Sequence, residues 1–171
     1  LNIQTYSNNK MKNLILIRHA KSSWNLSCLD KDRPLMERGM EDAHLVSIAC
    51  MKILPMNFVI YSSTAKRASE TANIFSETFL YPLESIDFRD DLYTFDENKL
   101  EKIIKSISND LENVILFGHN DAISNFVNKF GDIFIDNVPT SGLVWLQFQT
   151  DVWEKIHKGK TKKTIFPRNL K

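Results

Sequence analysis

Apolar residues recur along the chain in two distinct rhythms. Short unbroken runs, Leu14 to Ile17, Phe58 to Tyr61 and Val114 to Phe117, read as strands buried on both faces, and Leu143 to Phe148 reads as a fourth strand. Between them the spacing changes to that of helices. Arg38 to Ile53 carries Met40, Ala43, Val46, Ala49 and Ile53 near a helical period, and Ala68, Ala72, Phe75 and Phe79 share one face. Leu100, Ile103, Ile104 and Ile107 make a third stripe, and Ile123, Phe126, Val127 and Phe130 a fourth. Strands alternating with helices predict an α/β fold: a three-layer sandwich with a mostly parallel central sheet and helices on both faces. The acidic, aromatic stretch from Leu80 to Asn98 fits neither rhythm and is expected to form a loop over a site.

Where the strands stop, the residue types change abruptly. The first run ends in Arg18-His19, the second in Ser62-Ser63 with Arg67 shortly after, and the third in Gly118-His119-Asn120. Ligands of open α/β sheets bind at the carboxyl ends of the strands. Two guanidiniums and two imidazoles delivered to one such edge describe a receptor for a compact anion, because arginine's planar fork matches phosphate oxygens. Helix starts after Ser63 and His119 would add backbone donors. An imidazole among these cations stays neutral, and a neutral ring nitrogen is a nucleophile toward phosphorus.

Composition narrows the function classes. The 171 residues suit one domain, and 22 Lys plus Arg against 21 Asp plus Glu leave a formal charge of +1. That balance points away from nucleic acid and membrane partners and toward a local site. Cys28 and Cys50 lack metal or redox spacing and are expected to be reduced, as in a cytoplasmic protein. Residues 1–10 are polar and lack a signal-peptide core, and Met11 directly precedes the first strand. Residues 1–10 are therefore expected to be a flexible extension and 11–171 the single domain.

These motifs also carry a family likeness. RHAKSSWN resembles the Arg-His-Gly signature of the histidine phosphatase (phosphoglycerate mutase-like) superfamily, with Ala20 in the usual glycine position. The likeness continues through DKDRPLMERG, SSTAKRASETA, LFGHN, VPTSGLVWL and a terminal FPR, in order along the chain. The Lys-Ser-Ser-Trp continuation and the RPLMERG segment are similar to the SixA-type phosphohistidine phosphatase branch.

The resemblance implies a phosphoglycerate mutase-like fold and no metal or other cofactor. It implies His19 as nucleophile, Arg18 and Arg67 as phosphate clamp, and His119 as the second histidine. Ser22 and Asn25 fall where relatives place further phosphate contacts. Ester-cleaving relatives use a carboxylic acid from the loop after the second helix; here Asp91, beside Asp90, is the candidate. A phosphoramidate needs such an acid less, so the weak signal favours phosphohistidine.

The implied partner is a phosphorylated histidine on a signalling or phosphotransfer protein. A small-molecule phosphomonoesterase on the same fold and a non-catalytic phosphate-binding or interaction module are the alternatives. Asp121 stands where many of this branch have proline and is expected to cap the helix that follows. His44 and His157 are expected to be bystanders. The Lys-rich residues from 152 onward are expected to form a solvated tail, or a rim for an acidic protein substrate.

Overall fold

The computed structural model describes residues 10–24 and 27–171. The expected extension (all but Lys10) and Asn25 therefore lie outside the described residues. Six strands form one sheet: β1 (Lys12–Arg18), β2 (Val59–Ser63), β3 (Asp87–Arg89), β4 (Asn113–Gly118), β5 (Leu143–Phe148) and β6 (Lys160–Ile165). Their spatial order is β3-β2-β4-β1-β5-β6. β1, β2, β3 and β4 are mutually parallel; β5 runs against β1 and β6 runs against β5. A single strand, β5, thus opposes the others, so the expected mostly parallel sandwich holds.

Four helices cover the sheet: α1 (Glu37–Met51), α2 (Lys66–Phe79), α3 (Glu97–Lys105) and α4 (Ala122–Phe130). The two-residue period of β1 divides the core. Leu14 and Leu16 join a cluster with α3 and α4, whereas Ile15 and Ile17 join one with α1 and α2. All four are fully buried, which is why the run shows no polar alternation. On α1 the buried stripe is Ala43, Val46, Ser47 and Cys50; Met40 and Ile53, expected in the core, stay exposed. Burial pushes the Cys50 thiol up to about 12.

Two strands depart from the sequence expectation. β3 is a three-residue segment inside the stretch expected to be loop, where it pairs with the end of β2. β6 occupies much of the stretch expected to be a solvated tail. Its lysines hid it, because an edge strand with three exposed lysines among its six residues carries little apolar signal.

Strand register sets up the site. Arg18 pairs with Gly118, and Ser62 pairs with Phe117 one step earlier. The carboxyl ends of β1, β4 and β2 are therefore level and adjacent. Gly39 in α1 holds the neighbouring loop close, since a Cβ there would strike the Lys21 carbonyl oxygen. The same carbonyl accepts from the Met36 N–H at 2.9 Å, so α1 starts hard against the segment that follows β1.

Candidate active site

His19 follows β1 directly and is 8% exposed. Its Nδ1 lies 2.8 Å from the Ala20 carbonyl oxygen, which can only accept, so Nδ1 carries the proton. Nε2 is then the bare nitrogen. It receives the Arg67 Nε–H at 3.2 Å. Burial, reinforced by the positive charge of Arg67, Arg18 and Arg33, outweighs the Ala20 bond and pulls the His19 pKa down to about 3. The ring is neutral at physiological pH.

Arg67 comes from the first turn of α2 and is almost wholly buried. Beyond His19, it donates from Nη1 to the Asp30 carbonyl at 2.6 Å and from Nη2 to Asp30 Oδ2 at 3.0 Å. Thr71, one turn on, ties α2 to the nucleophile's loop. Its hydroxyl accepts from the Ala20 N–H at 2.9 Å and donates to the Arg67 carbonyl at 2.6 Å. Arg18 is anchored by Nη1 to the Val138 carbonyl at 2.9 Å, while its buried Nε has no partner among the described residues.

His119 follows β4 and lies behind His19, the ring centroids 5.2 Å apart. Tyr93 and Phe95 pack edge-on against it at 5.4 and 5.5 Å. Its Nε2 is 2.8 Å from Ser63 Oγ, which already accepts the Ala65 N–H at 3.1 Å. The serine oxygen keeps a second lone pair, so it can either donate to Nε2 or accept from it, and the tautomer sets which. Nδ1 is buried with no partner among the described residues. Burial, with His19 and Arg67 nearby, lowers the His119 pKa to about 2. Arg18 Nε is thus a buried donor without an acceptor, and His119 Nδ1 a buried ring nitrogen without a partner among the described residues, both costly in isolation and available to a bound group.

Arg18, His19 and Arg67 border a cleft of about 630 Å³ at the strand ends, together with Ser22 and residues the sequence reading gave no role. His119 lies outside the lining, packed behind Tyr93 and Phe95, which are part of it. Arg33 and Asp30 come from the DKDRPL segment, and Tyr93 and Phe95 from the expected loop. Ser22 is buried and accepts from Arg33 Nη1 at 2.6 Å. Asp30 binds Arg33 Nε at 3.1 Å and the Tyr93 hydroxyl at 2.6 Å, besides Arg67. Burial raises the Asp30 pKa, but the Tyr93 bond and the two arginines win and hold it at about 2. Trp24, 77% exposed, stacks on the Arg33 guanidinium at 3.5 Å and extends the rim.

Asp91 is not brought into this group. It forms a fork with Arg89 at 2.7 and 3.0 Å, and the cleft lining omits it. Asp90 beside it bonds Lys31 and Thr64 on the outer surface. Asp121 stands at the N-cap position of α4, but its side chain makes no capping bond. Asn120 does that work, accepting from the Ser124 N–H at 3.2 Å and its hydroxyl at 3.0 Å. Among the described residues no group of three or more His, Cys, Asp or Glu is arranged to hold a metal ion. None of their helices is long and apolar enough to cross a membrane.

Comparison with known proteins bears on the fold. A family model of the histidine phosphatase superfamily (branch 1) matches residues 14–96. An uncharacterized chloroplastic protein of Arabidopsis thaliana is 28% identical over 159 residues, or 84% of this chain and 70% of that protein. The protein histidine phosphatase SixA, solved with tungstate, shares the fold with a TM-score of 0.78 at 17% identity, over 93% of this chain and 99% of its own. A SixA structure from Agrobacterium tumefaciens gives 0.72 at 24% identity, over 90% and 97%. A phosphoglycerate mutase from Bacillus anthracis gives 0.66 at 17% identity, over 84% and 91%.

Proposed function

We propose, from the premise that the chain belongs to the histidine phosphatase superfamily, that it is a phosphatase acting through a phosphorylated His19, with protein phosphohistidine as substrate. One observation carries the reading: the Ala20 carbonyl fixes the His19 proton on Nδ1, so the bare Nε2 meets the Arg67 fork inside a cationic cleft.

In the first step Nε2 attacks phosphorus, a P–Nε2 bond forms and the substrate's P–N bond breaks. Arg18 and Arg67 would carry the charge on the equatorial oxygens, and His119 would join them in the tautomer that holds its proton on Nδ1. In the second step water attacks the phosphorus, the P–Nε2 bond breaks and inorganic phosphate leaves. The water's proton passes to solvent, and Nε2 regains its lone pair.

The state of Asp30 favours phosphohistidine over an ester. Asp30 is the carboxylate of the cleft, and it is held ionised by two arginines and Tyr93, so it has no proton to give a leaving oxygen. A phosphorylated imidazole protonated on its far nitrogen leaves as neutral imidazole and needs no donor at the scissile bond. The test is hydrolysis of a histidine-phosphorylated protein and of an alkyl phosphate, glycerol 3-phosphate, whose alkoxide does need a proton, without added metal, by wild type and His19→Ala. Rapid loss of phosphohistidine with slow ester hydrolysis, both abolished in the variant, is expected. Strong ester hydrolysis beside untouched phosphohistidine would shift the substrate to small phosphomonoesters.

A further inference from the structure

A second groove of about 760 Å³ lies beside the catalytic cleft, between the start of α1, the loop that follows α4 and the end of β6. The two share a wall. Thr140 borders both, and Asn137 of the groove bonds Arg18 Nη1 at 3.4 Å and Asn120 Nδ2 at 2.9 Å, two residues that line the cleft. β6 runs in the same direction as β1, so its end opens on the same sheet edge as His19.

We propose that this groove docks an extended segment of the protein substrate, rich in acidic and apolar side chains, that flanks its phosphorylated residue; this rests on the reading of the cleft as a phosphatase site. Charge and polarity argue for that occupant. Phe134 is 78% exposed and Ile133 53%, which puts two large apolar side chains in water on the groove wall. Lys171 is satisfied by Asp42 at 2.7 Å, whereas Arg38 and Arg168 have no carboxylate partner among the described residues. Asp136 is the groove's other carboxylate, so two open guanidiniums face one unpaired acid. An acidic side chain entering there meets arginine forks, and a basic one meets repulsion.

The test uses two peptides phosphorylated on a single histidine with potassium phosphoramidate. One carries Asp, Glu and Leu around that histidine, and the other has Lys at the acidic positions. Phosphoramidate itself reports on the cleft alone. Wild type should take the acidic peptide with at least tenfold higher kcat/KM, mainly through KM. The double variant Phe134→Ser/Arg168→Glu should lose most of that preference while hydrolysing phosphoramidate at the wild-type rate.

Equal kcat/KM for the two peptides, or a preference that survives in the double variant, overturns the docking proposal. So does a wild-type dimer in sedimentation that Phe134→Ser splits, since a second copy would then fill the groove. If wild type hydrolyses no phosphoramidate or phosphohistidine, it is the phosphatase reading that fails. The groove is then judged by fluorescence polarisation of the labelled, unphosphorylated acidic peptide. Binding that the double variant loses supports docking, and no binding rejects it.

Discussion

At His19 a backbone carbonyl decides the chemistry: by holding Nδ1–H, the Ala20 oxygen leaves the opposite nitrogen bare. Asp30 is the counterpart on the cation side. It occupies the forks of Arg67 and Arg33 and competes with any incoming phosphate for them. Asp30→Asn keeps the shape and removes the charge. Inorganic phosphate should therefore inhibit the variant more strongly, by on the order of tenfold in Ki for two cations freed of one carboxylate. Turnover should fall as the forks lose their anchor. Unchanged inhibition by phosphate would mean that Asp30 does not compete for the clamp. His19, Arg18, Arg67 and His119 were legible because charged and imidazole side chains at the ends of buried strands need an explanation in any fold. Asp30 and Tyr93 were not legible as partners. Their bond spans 63 positions of sequence, and no local pattern encodes it. The expectation for Asp91 came from loop position alone, and the fork of Arg89, two residues away, holds that carboxylate outside the lining.

Among the elements, α1 bears on the site through one close approach. Gly39 lies where a side chain would collide with the Lys21 backbone, next to Ser22 in the cleft wall. Gly39→Ala should cost about 1–3 kcal/mol, the usual range for overpacking, unless α1 backs away from the loop. Either response displaces Ser22 and its bond to Arg33, so kcat/KM should fall alongside the urea midpoint; a variant as stable and active as wild type would refute the contact. At this scale the sequence is informative where burial is two-sided. β1, β2 and β4 announced themselves as apolar runs, and α2, α3 and α4 as stripes. β3 and β6 stayed hidden because a three-residue strand and a lysine-bearing edge depend on the neighbour they pair with, which periodicity cannot report.

Over the whole molecule, the two buried histidines couple folding to pH. Both are neutral when folded, with pKa values lowered to about 3 and about 2, and would take up a proton near 6.5 once unfolded. The unfolded chain thus binds more protons below that value. Their contribution is fully present above pH 6.5 and is lost as pH falls, at about 1.4 kcal/mol per unit for each histidine. Urea unfolding from pH 7 down to pH 4 should show this steep loss, and His119→Gln should make the slope shallower. A flat profile in wild type would contradict the buried neutral pair. Asp30 adds to the loss only in stronger acid, between its ordinary range and about 2.

The two outer strands have a consequence for the protein in a crowded solution. A sheet edge with free N–H and C=O groups invites a strand from another molecule, and growth from such an edge leads toward aggregates. Here one border is β3, too short to template more than three residues, and the other is β6, with Lys160, Lys162 and Lys163 along it. An approaching strand finds a stub on one side and a row of ammonium groups on the other. The lysines that disguised β6 as a tail are what keep the sheet six strands wide.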